Sequence, residues 1–263
     1  MIRLVATDLD GTVVRPDGTM SERTAAALRA VEDAGLRLVF VTGRPPRWVG
    51  PVAEATGHRG LVICANGASV FDLHTERVVE QFPLPAATAR RVVERVRQVL
   101  PAAGFAVEAV GGFAHDPQYR PRYDVGDARV APIEDLLRGP LWKLLVRDES
   151  STGDQMLELV RPLLAGLADV THSNVNDCLL EVSGHGVSKA STLATLAGRW
   201  GIEPAAVVAF GDMPNDVAML QWAGVGYAVA GAHPEVLAAV EHRTAAVSQD
   251  GVAQVLEQLL AGS

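Results

Sequence analysis

Apolar runs of strand length alternate with longer stretches of helical period over much of this chain, and that alternation constrains the fold more than any other feature. Runs such as "IRLVAT", "LRLVFVT" and "VVAFG" are continuous rather than alternating, as strands buried on both faces require. A helix between successive strands of this kind is the signature of βαβ units and a parallel sheet. The spacing predicts strands over residues 2–7, 36–42, 61–65, 207–211, 224–229 and 244–247, and helices over 21–34, 45–56, 188–201, 214–223, 234–239 and 250–260. Ser21 stands as an N-cap before Glu22, and Pro45 and Pro214 sit where a first helical turn accepts proline.

The middle third has a different texture. After a hairpin (69–72, then 77–82), Pro83 and Pro85 precede a basic amphipathic helix, "TARRVVERVRQVL". Strand-like pieces follow at 105–110, 142–146, 170–172 and 179–182, with a helix over 153–167 that Pro162 should bend or split. That pattern is an α+β module inserted into the first domain, at about residues 84–184.

Length and charge narrow the function classes. At 263 residues the chain suits two domains with a sizeable core. A formal charge of −8 and a pI near 5.4 exclude a mainly electrostatic grip on nucleic acid or an anionic membrane. Cys64 and Cys178 lie in apolar stretches without CxxC or His/Cys ligand spacing, the pattern of small buried hydrophobes. No apolar run approaches the ~18 residues of a membrane span, and the N-terminus lacks the regions of a signal peptide. These features point to a soluble protein of the cytoplasm.

The stretch "VATDLDGT", residues 5–12, puts Asp8 and Asp10 at the carboxyl end of the first strand, where open α/β sheets form their ligand crevice. Residues two apart on an extended chain point the same way. Two carboxylates sharing a crevice repel, raising at least one pKa unless a cation or proton intervenes. An EF-hand loop does not fit, since its sixth position is Val13 and its twelfth Thr19. A dinucleotide fingerprint fails because no GxGxxG follows the strand. A plain turn stays open on these eight residues alone.

Other strand ends supply company. Thr42 and Gly43 close "LRLVFVTG", a hydroxyl and an unencumbered amide suited to phosphate oxygens before a helix. "VVAFGDMPND" delivers Asp212 and Asp216. Lys189 lies at a helix start, where a cation opposes the helix dipole. An anion and acidic groups sharing its site would explain that placement.

With "DLDGT" at 8–12, "TGR" at 42–44, Lys189 and "GDMPND" at 211–216, the chain resembles the haloacid dehalogenase (HAD) superfamily in its phosphatase branch. The large insert, "NGA" at 66–68 and "LEVSGHGVSK" before the lysine resemble the Cof-type subfamily with a C2B cap. Ala190 replaces a glycine common in relatives, and Met213 and Pro214 are unusual in the fourth motif, but neither change removes a functional atom. The resemblance implies a Rossmann-like doubly wound core over 1–83 and 185–263 with a cap over 84–184. It implies Asp8 as nucleophile forming an aspartyl-phosphate, and Asp10 as acid and then base. It also implies Mg2+ on the Asp8 and Asp212 carboxylates and the Asp10 carbonyl, with Asp216 beside it. Thr42, Gly43 and Lys189 would neutralise the transferring phosphoryl group, and Asn215 would orient phosphate or metal-bound water.

Dehalogenase relatives need no metal and lack the second acid, so the acids present here favour phosphoryl transfer. The expected substrate is a small phosphorylated metabolite, such as a sugar phosphate, sugar acid phosphate or polyol ester. Arg44 and Asn66 would contact it from the core, and the loops "HDPQYRPRYD" (115–124) and "HSNVND" (172–177) are weaker candidates. His172 and His185 show no metal spacing. A phosphomutase of the phosphomannomutase kind and a non-catalytic sensor of metabolite phosphates are the alternatives. The chain is expected to act as a monomer or weak homodimer.

Overall fold

Every residue of the first strand, β1 (Leu4–Thr7), is buried, and continuous burial demands strands at both edges and cover on both faces. In the computed structural model, which describes residues 1–174 and 177–262, its neighbours are β2 (Arg37–Val41) and β12 (Val207–Gly211), both parallel to it. The chain runs on through β3 (Leu61–Cys64), β4 (Ser69–Asp72) and β5 (Arg77–Gln81), crosses a second unit, and returns through β12, β13 (Val225–Val229) and β14 (His242–Thr244). The sheet order is β14-β13-β12-β1-β2-β3-β4-β5, parallel from β14 to β3 and antiparallel between β3 and β4.

Register decides what this sheet presents. Thr7 pairs with Phe210 on one side and Phe40 on the other. Asp8, Gly211 and Val41 therefore step off the sheet at one level, and Asp212 and Thr42 follow on the same edge. On one face Val5, Leu38, Phe40, Val208 and Phe210 pack with Ala27, Leu28 and Val31 of α1 (Glu22–Asp33) and Val252 and Leu256 of α9 (Gly251–Ala261). The alternate residues Leu4, Ala6, Val39, Val41 and Ala209 are buried too, on the side where α6 (Lys189–Arg199) and α7 (Val217–Trp222) lie against the strands. Each such large side chain contributes roughly 1.5–3 kcal/mol on burial, so the carboxyl edge is a firm platform. This is a doubly wound α/β sheet. Two shorter helices, α2 (Gly50–Thr56) and α8 (Pro234–Ala239), complete the unit.

The chain divides into two units, Met1–Glu80 with Lys189–Ser263, and Gln81–Ser188. The second is an α+β unit with sheet order β10 (Ala168–Thr171), β11 (Leu179–Gly184), β9 (Lys143–Arg147), β6 (Gly104–Ala109), β7 (Gly112–His115) and β8 (Arg129–Val130). Its pairings are antiparallel except β7 with β8. Phe105, Val107, Leu144, Val146, Leu180 and Val182 pack against α3 (Ala86–Val99) and α5 (Gly153–Leu164) through Val92, Val96, Met156 and Val160, with α4 (Ile133–Leu136) beside them. Intervening strand positions carry buried ion pairs: Lys143 of β9 pairs with Glu181 of β11, and Arg147 with Asp177 just before β11.

Four expectations need correcting. The last strand ends at Thr244, and Val247–Gln249 is a 3₁₀ turn. The helix expected over 45–56 is a 3₁₀ turn, Pro46–Trp48, followed by α2. Pro162 does not split α5; it lies two residues before the last helical position, Leu164, where its missing N–H and its clash with the preceding turn are felt late. The short strand β7, the edge strand β8 and the helix α4 have no counterpart among the expected elements. Among the described residues no helix is long and apolar enough to cross a membrane. Neither cysteine is in a disulfide; Cys64 is buried and Cys178 partly so.

Candidate active site at the carboxyl edge of the parallel sheet

Asp8 leaves β1 with its backbone N–H still donated to Phe210 O, at 3.0 Å, which anchors it to the neighbouring strand. Its carboxylate is buried, and Oδ1 accepts a 2.6 Å hydrogen bond from Lys189 Nζ. Lys189, the first residue of α6, gives a second 2.6 Å bond to Asp216 Oδ1. An ammonium 1% exposed is tolerable only when paired. Burial alone would lower the Lys189 pKa, but the Asp216 and Asp8 carboxylates outweigh it and hold the amine above its usual range, fully charged.

Asp216 is braced from behind. Its Oδ2 accepts the backbone N–H groups of Asp212 (3.1 Å) and Met213 (3.0 Å), so the loop after β12 closes on its own side chain. Asp212 accepts the Thr12 hydroxyl on Oδ1 at 3.1 Å. Gly11 has φ +82°, and a Cβ there would stand 2.2 Å from Asp212 Oδ2. The glycine of "DLDGT" thus supplies a left-handed turn and the room for a carboxylate.

These carboxylates are crowded. The carboxylate oxygens that Asp8, Asp212 and Asp216 offer lie within 4.8 Å of one another. Burial pushes the Asp8 pKa well up; Lys189 opposes this, and Asp216, Asp212 and Asp10 add to the rise. Burial, then Asp216, pushes Asp212 to about 7. Three acids around one ammonium leave excess negative charge in a largely buried site of hard oxygen donors, and a divalent cation of the Mg2+ kind fits that set.

The second wall comes from β2. Thr42 is buried, and its Oγ1 accepts the Arg44 N–H at 3.0 Å, leaving the hydroxyl proton for another acceptor. Ala65 and Asn66 both take left-handed φ, +50° and +56°. That turn lets Asn66 N–H reach Thr42 O (3.0 Å) and Ala65 N–H reach Arg44 O (2.9 Å). Asn66 Oδ1 accepts Asn215 Nδ2 at 3.0 Å, while Asn66 Nδ2 and Asn215 Oδ1 are buried without a partner. Gly43 lies between Thr42 and Arg44 on this same loop. Arg44 reaches Asp10 with Nε to Oδ2 at 2.8 Å and Nη2 to Oδ1 at 2.5 Å.

In the second unit His172 is buried against Asp154 at 2.8 Å, and His185 is largely exposed, 3.5 Å from Asp169. The loop 115–124 is partly built into the sheet: Asp116 Oδ1 accepts the Gln118 and Tyr119 N–H groups, and buried Tyr119 packs on Ala106 and Leu145. Of "HSNVND", Val175 and Asn176 lie outside the described residues. Two contacts of the site are additional to the expected ones. The Thr12 hydroxyl on Asp212 was signalled by the "DGT" triplet, whereas the Arg44–Asp10 pair had no signal, since its members stand 34 positions apart.

A family model described as haloacid dehalogenase-like hydrolase matches residues 5–256. The chain is 30% identical over 260 residues to the phosphoglycolate phosphatase of Natronomonas pharaonis, covering 98% of each chain. It is 27% identical to the pyridoxal phosphate phosphatase YbhA of Escherichia coli K12, over 97% of each. Among solved structures, the HAD phosphatase BT1666 from Bacteroides thetaiotaomicron aligns with a TM-score of 0.81 at 25% identity, covering 98% of this chain and 95% of that one.

Proposed function

Because the chain belongs to the haloacid dehalogenase-like hydrolase family, as a phosphoric monoester hydrolase, we propose that it is a Mg2+-dependent phosphatase of small phosphorylated metabolites, with Asp8 as nucleophile. The observation that carries this reading is the cluster of buried Asp8 and Asp216 and half-buried Asp212 around the ammonium of Lys189. A structural ion pair needs one acid for one base; the surplus here suits a site that receives a cation and a phosphate together.

In the first half-reaction an Asp8 carboxylate oxygen attacks phosphorus as the ester P–O bond breaks. The leaving oxygen takes a proton from Asp10, and an aspartyl-phosphate remains. In the second, water attacks phosphorus and gives a proton to Asp10, the P–O bond to Asp8 breaks, and inorganic phosphate departs. Lys189, the Thr42 hydroxyl and the Gly43 amide balance charge on the phosphoryl oxygens throughout. Mg2+ would be held by the Asp8 and Asp212 carboxylates and the Asp10 carbonyl with Asp216 alongside, and it supplies charge neutralisation between Asp8 and an anionic ester. Asn66 and Asn215 present one unmet donor and one unmet acceptor, suited to a phosphoryl oxygen and a water. Relatives named for phosphoglycolate and pyridoxal phosphate support a small phosphorylated metabolite, of which sugar phosphates are the first class to try.

The test is phosphate release across ~100 phosphorylated metabolites with Mg2+ and with chelator. Expected are turnover of a subset, reversible silencing by chelator, and a loss of about 10⁴-fold or more in Asp8→Asn. Appreciable turnover by pure Asp8→Asn protein removes the nucleophile assignment.

A further inference from the structure

Asp10 differs from the other acids of this edge. Its side chain is 55% exposed, and among the described residues the Arg44 guanidinium is the only group hydrogen-bonded to its carboxylate, Nε to one oxygen and Nη2 to the other. An exposed aspartate ordinarily turns freely about its side-chain torsions. Here a planar fork spans both oxygens and fixes the plane of the carboxylate as well as its place.

Arg44 is itself held at several points. Its N–H is donated to Thr42 Oγ1, its carbonyl accepts the Ala65 N–H, and Nη1 reaches Trp48 O at 3.2 Å. The left-handed pair Ala65 and Asn66 makes the second of these contacts possible. A chain of contacts therefore runs from the β3 end through Arg44 to Asp10.

We propose that Arg44 is a positioning residue for Asp10, aiming its carboxylate at the ester oxygen that leaves, rather than a ligand of the substrate phosphoryl group. The inference rests on the phosphatase reading. Each Asp10 oxygen keeps a further acceptor position beyond the one Arg44 occupies. Proton delivery to the leaving oxygen, and proton uptake from the attacking water, can proceed with the fork in place. A misaimed acid of this kind costs about tenfold to a hundredfold.

The requirement for an acid grows with the basicity of the leaving group, which separates the two roles of Arg44. The probes are p-nitrophenyl phosphate and phenyl phosphate, similar in size and differing in how much their leaving oxygen needs a proton. The readout is kcat/KM, which reports the steps through ester cleavage. Arg44→Gln is expected to lower kcat/KM for phenyl phosphate about tenfold or more and for p-nitrophenyl phosphate at least threefold less. Asp10→Asn is expected to show the same skew, and the Asp10→Asn/Arg44→Gln double variant to be no slower than Asp10→Asn alone, since residues acting as a unit are not additive. Arg44→Lys, with the charge but no fork, should behave like Arg44→Gln.

An equal loss on both esters, a double variant slower by the product of the single losses, or full rescue by Arg44→Lys overturns the proposal. Unfolding midpoints of all variants within a few degrees of the wild type keep the comparison about the site. Wild-type protein that cleaves neither these esters nor any metabolite ester removes the phosphatase reading and the proposal with it. Turnover by wild type with an unskewed Arg44→Gln leaves the phosphatase and removes only the positioning role.

Discussion

Lys189 is the residue on which the site's charge balance turns. It is 1% exposed, with Asp8 and Asp216 each at 2.6 Å. Replacing it by methionine keeps the volume but leaves two buried carboxylates without their cation, a loss of about 3–5 kcal/mol. Lys189→Met is therefore expected to unfold at markedly lower denaturant in chelator, whereas Asp8→Asn, which thins a crowd of like charges, should hold or raise the midpoint. Denaturant titration followed by fluorescence reads both. Lys189→Met protein as stable as wild type would mean that the pair is not carrying buried charge. The grouping of Asp8, Lys189 and Asp212 was legible because strand ends and a helix start deliver them to one edge whatever their rotamers. Arg44 on Asp10 and Asn66 on Asn215 were not, because each depends on a side-chain direction set by the left-handed turn at Ala65 and Asn66.

At the scale of elements, the loop after β1 shows how a glycine can serve a ligand site rather than a turn alone. Gly11 and Gly18 have nearly the same φ, +82° and +83°, but a Cβ at Gly18 meets nothing within 4 Å while one at Gly11 strikes Asp212. Both alanine variants take on left-handed strain of about 1–2 kcal/mol. Only Gly11→Ala should also displace Asp212. The expected result is that Gly18→Ala keeps the stabilisation given by Mg2+ and Gly11→Ala loses most of it, measured as the shift of Tm on adding Mg2+. Equal shifts in the two variants would detach Asp212 from the cation. Buried strands of this sheet were legible from continuous apolar runs, since burial on both faces leaves no other pattern. The edge strands β8 and β14 were obscure for the converse reason: Arg129, Val130, His242 and Arg243 are exposed, and a neighbouring strand rather than their own composition makes them strands.

For the molecule as a whole, the acids of the site make stability, pH and cation a single coupled quantity. Asp212 keeps its proton up to about pH 7 in the folded chain, whereas an unfolded aspartate releases it near 3.9. Between those values the folded state binds more protons, so stability falls as pH rises. This group's contribution is fully present below about pH 4 and is lost by about pH 7, and Asp8, also shifted upward by burial, adds a loss of the same sign. A cation competes with those protons. Above pH 7 the Asp212 carboxylate is ionised and open to a cation; near pH 5 a cation must first expel its proton. At 100 times its dissociation constant a ligand adds about 2.7 kcal/mol, which moves Tm by roughly 5–10 °C in a protein of this size. Scanning calorimetry with and without 10 mM Mg2+ should therefore show a shift of that order at pH 8 and less than half of it at pH 5. A shift independent of pH would mean that Mg2+ binds away from these carboxylates, and a larger shift at pH 5 would reverse the sign of the linkage that the buried acids require.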